Sequence, residues 1–409
     1  MRRVVVTGIG AITPVGNDIK TFWDNLTAGK SGIDFITKFD TSESKVKIAA
    51  EVKNFDPALY VEKPLMRKTD LYSQYALAAA AQAMDDSGIM GTVEPDKLGV
   101  YIGSGIGGMK TFIEECDRLA KSGPKRVSPY FIPKLIANIA TGHVAIKYNA
   151  QGPSMCIVTA CATSANCVGE AYRTIKHGYA DAIIAGGAEA TINELGIAGF
   201  ANCMTLSNSD DPKCASIPFD KRRSGFVMGE GGAVLILEEY EHAVNRGAKI
   251  YAELCGYGNT NDAYHMTAPH PDAVGSAKAV RLAADEAGIK PGDKVYINAH
   301  GTSTQLNDKA ETLAFKKAFG KEAYNMMISS TKSMTGHMLG ATGAAEAIVC
   351  VLALKDGIVP PTIGYKVPDP ECDLDYVPNN ARKTELDFAV STNLGFGGHN
   401  ACLVFKKAN

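Results

Sequence analysis

The 409-residue chain lacks any marked charge imbalance: 42 Lys and Arg stand against 44 Asp and Glu, a formal net charge of -2. Without a basic excess there is no global field to collect nucleic acid or an anionic membrane, and neither is expected as a partner. Any acidic partner must instead find a local basic patch. Long apolar runs are lacking too. The longest away from the start, Ala347 to Leu354, falls far short of the ~20 residues that span a bilayer. At the start, Met1-Arg2-Arg3 and Val4-Val5-Val6 imitate a signal peptide until Thr7, Gly8, Gly10, Thr13 and Pro14 interrupt the run. A buried first strand in a cytoplasmic protein is the expectation. The ten cysteines contain no CxxC pair, which argues against a zinc knuckle and favours reduced thiols with no metal.

What is present is a globular composition, 45% hydrophobic and 21% charged. At roughly 150 residues per domain the length suggests two or three units. No Pro/Gly/Ser-rich linker and no short-period repeat divides the chain, so two closely packed halves are expected, 1–250 and 251–409. Short Val/Ile-rich runs alternate with helical patterns, which predicts an α/β protein with buried strands. Strands are predicted at Val4–Thr7, Leu98–Ile102, Met155–Val158, Ala182–Ala185, Ala233–Glu238, Tyr251–Gly256, Val295–Asn298, Met327–Ser329, Ala389–Thr392 and Ala401–Phe405. Helices are predicted at Asp70–Ser87, Ala162–His177, Ser276–Ala287, Lys309–Phe319 and Ala341–Lys355. Several are coated with Ala and Gly, as a helix packed on more than one side must be.

Gly103-Ser104-Gly105-Ile106-Gly107-Gly108 satisfies GxGxxG in form. The acidic strand end expected about 20 residues later is missing, because a helix around Glu114, Glu115 and Asp117 occupies that place. A glycine-shaped turn beside a pocket is the better reading. Cys161 falls between an apolar run and a helix, a position where unpaired N–H groups favour a thiolate and can hold an oxyanion. Taken by itself, a buried structural cysteine competes with that reading. His300 ends a predicted strand ahead of Gly301-Thr302-Ser303-Thr304, and His337 closes Ser330-Thr331-Lys332-Ser333-Met334-Thr335-Gly336. One such histidine is commonly structural; two with a helix-capping Cys suggest a site.

These segments carry a resemblance. Thr159-Ala160-Cys161-Ala162-Thr163, the HGTST from His300 to Thr304, the KSMTGHMLGATGAAE from Lys332 to Glu346 and the GFGG from Gly395 to Gly398 resemble the β-ketoacyl-[acyl-carrier-protein] synthases. Within that family the bacterial type II enzymes of fatty acid synthesis are most similar. The resemblance implies the thiolase fold, two duplicated halves in a five-layer α-β-α-β-α sandwich, and a homodimer. It implies Cys161 as acylated nucleophile, with the N–H groups of Cys161 and Phe396 as oxyanion hole. His300 and His337 would polarise the malonyl thioester, and Lys332 and Glu346 would order the site. By the same resemblance Thr302 and Thr304 would bind pantetheine amides and Phe396 would gate access. Ile106, Phe200 and a partner copy's Phe131 would line the acyl pocket. His399, where many relatives have Thr, is a departure beside the gate. No cofactor is implied beyond the 4'-phosphopantetheine that arrives on the carrier protein.

The implied partner, acidic acyl carrier protein, would dock on Lys63, Arg67 and Lys68 with Lys125 and Arg126. Joining two thioesters needs a thiolate to hold one acyl group and donors to stabilise charge on the other, which fits this residue set. The type I synthase shares the same site, and Ile106 favours type II. A chain-length factor would lack the nucleophile, and a cysteine hydrolase would release free acid.

Overall fold

In the computed structural model, which describes residues 1–408, ten strands form one continuous sheet. Five come from the first part of the chain: β1 (Val4–Ile12), β2 (Leu98–Gly103), β3 (Ser154–Met155), β4 (Ala182–Glu189) and β5 (Gly231–Glu239). Five follow: β6 (Ala252–Asn261), β7 (Val295–Asn298), β8 (Met327–Ser329), β9 (Phe388–Gly395) and β10 (His399–Lys406). Across the sheet they run β3-β2-β4-β5-β1-β6-β10-β9-β7-β8. Read inward from either edge, the order is third, second, fourth, fifth, first. The two first strands meet antiparallel, Val4–Val6 against Ala252–Leu254. Directions repeat as well: β2 is parallel to β3 and β4, and β7 is parallel to β8 and β9.

Five helices complete the layers: α1 (Leu71–Ser87), α2 (Thr163–Lys176), α3 (Val274–Ala287), α4 (Gln305–Phe319) and α5 (Thr342–Asp356). Helix α1 covers β1 and β5 on one outside, while α3 covers β6 and β10 on the other with α4 beside it. Between them α2 and α5 touch each other and strands of both halves. That is the expected five-layer sandwich. Its central helices must be small-coated, and every residue of α5 from Thr342 to Leu354 is buried. At the crossing, a Cβ on Gly343 would lie 2.6 Å from the Ala165 backbone nitrogen.

Strands β4, β6 and β9 run three to five residues past their expected ends at Ala185, Gly256 and Thr392, and two other strand expectations need correction. The prediction ended the first strand at Thr7 because Gly8 and Gly10 weaken a strand, yet β1 continues to Ile12. The glycines let α1 close in: Cβ atoms there would stand 2.2 Å from the Ala83 carbonyl oxygen and 2.1 Å from that of Ala79. The run Met155–Val158 was expected as a buried strand, but β3 is only two residues long and sits exposed at the sheet edge. Met155 is 47% and Val158 51% exposed. Apolar composition alone does not distinguish a buried strand from an uncovered edge.

Candidate active site

Cys161 occupies a tight turn, Ala160–Ala162, that feeds directly into α2. The turn is set by its neighbours. Ala160 takes a left-handed φ of +51°, a strained choice for a residue with a Cβ. The Thr163 hydroxyl accepts from Thr159 N–H at 2.9 Å, and Asn166, itself bonded by the Tyr257 hydroxyl at 2.7 Å, donates to the Thr159 hydroxyl at 2.8 Å. Gly395 at the end of β9 lacks the Cβ that would press within 2.4 Å of the Thr159 oxygen. Strand β9 therefore closes on the turn, and the backbone N–H groups of Phe396 and Cys161 act on the sulfur to favour its thiolate.

Burial nevertheless pushes the thiol up, from an ordinary 9.0 to about 12, against the pull of Lys332 and the two N–H groups. The N–H groups at this turn favour a thiolate, and burial opposes them. The sulfur keeps its proton until a base or an incoming thioester changes the balance.

His300 lies two residues beyond β7, where Glu311 of α4 fixes the backbone. The His300 and Gly301 N–H groups donate to its two oxygens at 2.6 and 2.7 Å. His337 is reached through Lys332–Thr335, a single helical turn, and Gly336 with φ +63°. Its backbone spans to Val227 and Gly229 at 2.7 and 2.8 Å. The Thr342 hydroxyl lies 3.1 Å from His337 Nδ1 and orients the ring. The two rings meet edge to face, centroids 5.2 Å apart. Burial first, then Lys332, holds both imidazoles well below their ordinary 6.5, so both are neutral.

Lys332 Nζ lies 2.5 Å from Glu346 Oε1, and Asn393 donates to the other oxygen at 2.7 Å. Burial raises the Glu346 carboxyl to about 7 despite the lysine. Ligating atoms of Cys161, His300 and His337 all fall within 4.8 Å of one another. This set has metal-ligand reach, but the Lys332 ammonium beside it opposes a second cation. A cavity of about 360 Å³ opens onto these three side chains and is also lined by Thr302, Thr304 and Phe396.

Residues 1–243 match the family model for the N-terminal domain of β-ketoacyl synthases, and residues 251–366 the model for the C-terminal domain. The chain belongs to the β-ketoacyl synthase family. A 3-oxoacyl-[acyl-carrier-protein] synthase 2 from Staphylococcus aureus is 51% identical over 99% of this chain and 98% of its own. One from Synechocystis sp. is 50% identical over the same shares. Among solved structures, a β-ketoacyl synthase from Burkholderia phymatum superposes with a TM-score of 0.92 at 34% identity, both chains covered fully. A type II PKS acyl-carrier protein in complex with its ketosynthase gives 0.91 at 35%, again with full coverage.

The remaining residues singled out from sequence are dispersed around the synthase. The Thr302 and Thr304 hydroxyls stand 3.0 Å apart on the cavity wall. Phe200 packs 6.3 Å from the Phe396 ring and 5.7 Å from Phe226, which abuts His337. Ile106, 40% exposed, and Phe131, stacked on Phe112, lie outside the cavity walls of the single chain. His399 packs against Gly397. Lys63, Arg67, Lys68, Lys125 and Arg126 are all exposed. Sequence reasoning missed Glu311 and Glu189, buried carboxylates that bind backbone N–H groups from distant segments. The available signal for Glu311 was an acidic residue on the helix that follows the HGTST segment.

Proposed function

We infer that this synthase catalyses a decarboxylating condensation that lengthens an acyl chain by two carbons. The observation that carries the reading is one thiol and two neutral imidazoles converging at the foot of a cavity. Cys161 Sγ attacks the thioester carbonyl of an acyl carrier protein; a new C–S bond forms, and the carrier thiol leaves with the proton the thiol gives up. Malonyl carrier then loses CO2, and the electron pair of the broken bond moves into an enolate whose oxygen accepts hydrogen bonds from the imidazoles. The enolate carbon attacks the acyl-Cys161 carbonyl. Its oxyanion lies on the N–H groups of Cys161 and Phe396, and the C–S bond breaks to return the thiolate, which takes a proton from water to restore the resting thiol. The products are 3-oxoacyl carrier protein, CO2 and the free carrier protein thiol.

Neutral histidines suit this cycle because a cationic imidazolium would be costly in so buried a site. Thr302 and Thr304 offer hydroxyls on the cavity wall for pantetheine amides, and Phe396 sits where it can gate entry. The chain's own residues supply all of these roles, with no cofactor of its own. Carrier docking is assigned to Lys63, Arg67, Lys68, Lys125 and Arg126. The two stretches approach each other, since Lys68 Nζ reaches 5.4 Å from the Tyr130 ring. A second copy of the chain would cover the open edge of β3 and the exposed Met155, Val158, Ile132 and Ile136, bringing Phe131 toward the other copy's Ile106. The chemistry is tested by product analysis after mixing acyl- and malonyl-loaded carrier with the chain. A 3-oxoacyl thioester longer by two carbons is expected; free fatty acid as the main product would replace this reading with a hydrolase.

A further inference from the structure

Glu189 closes β4 inside the molecule, where it is fully buried. Its Oε1 accepts from the Ser104 hydroxyl at 3.0 Å, Ile106 N–H at 3.2 Å and the Thr191 hydroxyl at 3.3 Å. Its Oε2 accepts from Gly105 N–H at 2.8 Å and Gly340 N–H at 3.0 Å. All five partners donate, a set that only an acceptor without its own proton satisfies in full.

These donors come from separate places in the fold. Gly105 and Ile106 form the glycine turn after β2, and a Cβ on Gly105 would be 3.7 Å from the Ala160 oxygen beside the nucleophile. Gly340 belongs to the turn Leu339–Ala341 that begins two residues after His337. No sheet ladder joins those two turns. Their backbones touch closely, since a Cβ on Gly340 would stand 2.4 Å from Gly105 N and 2.8 Å from Glu189 Oε2. Leu339 is held at φ +47°, a conformation that persists only where surroundings enforce it.

We propose that Glu189 is a positioning residue: its carboxylate clamps the Gly105–Ile106 turn to the loop behind His337 and so sets that imidazole against Cys161. The proposal rests on the condensation reading above. Acylation depends on the Cys161 turn and the Phe396 N–H, which Gly395 and Thr159 organise; Glu189 acts on that thiol through its charge, whose loss would ease deprotonation rather than hinder it. Condensation also needs His337 in place. Loosening the clamp therefore separates the two half-reactions, which a loss of fold would not do.

Glu189→Gln keeps the size but offers one acceptor oxygen, so its NH2 strands either the Ile106 N–H or the Gly105 and Gly340 pair. Acyl-enzyme formation, read by intact mass, is expected to stay within about threefold of wild type, while kcat for condensation falls about tenfold or more. The KM for malonyl carrier should move little. Thr191→Val, which removes one hydroxyl donor to Glu189 while no backbone N–H relies on that oxygen, should shift the ratio in the same direction by less and decides the matter if Glu189→Gln does not fold. Equal losses in both half-reactions, or no loss in either, overturn the proposal. A wild-type chain that forms no acyl-enzyme refutes the functional reading instead.

Discussion

Lys332 and Glu346 stand at the back of the Cys161 cavity as a buried ion pair, which is stabilising only while both partners remain. Removing one leaves an uncompensated charge, at a cost of about 3–5 kcal/mol. Lys332→Met should therefore lower the thermal midpoint steeply, and adding Glu346→Gln should recover most of the loss. Activity should not return with it, because the charge facing the two imidazoles is gone; recovery of both would make the pair purely structural. A pH effect follows from His300 and His337, whose folded pKa values lie well below the ordinary 6.5. Below that pH the unfolded chain binds protons that the folded chain refuses, so the stability contributed above it is lost as pH falls, by up to about 1.4 kcal/mol per pH unit for each ring. Glu346 and Glu311, each raised to about 7, act oppositely over the same range. The comparison of wild type with His300→Asn and His337→Asn isolates the rings: each variant should lose less stability than wild type between about pH 7 and pH 5. An identical loss would mean the imidazoles protonate in the folded chain.

At the scale of elements, the site depends on how closely α2 and α5 approach, since Cys161 leads into the first and His337 precedes the second. A methyl group at Gly343 would press on the Ala165 backbone, 2.6 Å away. Gly343→Ala should cost about 1–3 kcal/mol by overpacking and reduce condensation by more than its effect on folding, as the helices part. Unchanged kinetics at reduced stability would show that the helix crossing does not set the site. Much of this was legible beforehand. Val295–Asn298 and Met327–Ser329 are strands with the predicted bounds, because short β-branched runs between breakers leave few alternatives. Small residues in α2 and α5 correctly implied helices enclosed on several sides. The end of β1 was not legible, since the reason its glycines are tolerated lies on a helix some seventy residues away. Glu189 was hidden for a related reason: four of its five donors lie 83–85 residues before it or 151 after it. The turn and the helix terminus at Cys161 can be read from sequence, whereas its degree of burial cannot.

The whole molecule repeats one strand order around a shared pair of central helices, and the cavity draws on both halves, Cys161 from the first and the histidines from the second. With a net charge of -2, attraction of an acidic carrier has to be local. Arg67→Glu with Lys68→Glu should raise the KM for acyl carrier protein and weaken its salt dependence, while turnover of a small pantetheine thioester stays unchanged. An unaltered KM would move docking to another face. The central claim, that Cys161 carries the growing chain, is tested most directly by intact mass of the protein after incubation with acyl carrier protein. Wild type should gain one acyl group, lose it when malonyl carrier is added, and yield the longer 3-oxoacyl thioester; Cys161→Ala should fold and gain nothing. An acyl adduct of equal yield on Cys161→Ala would contradict the account.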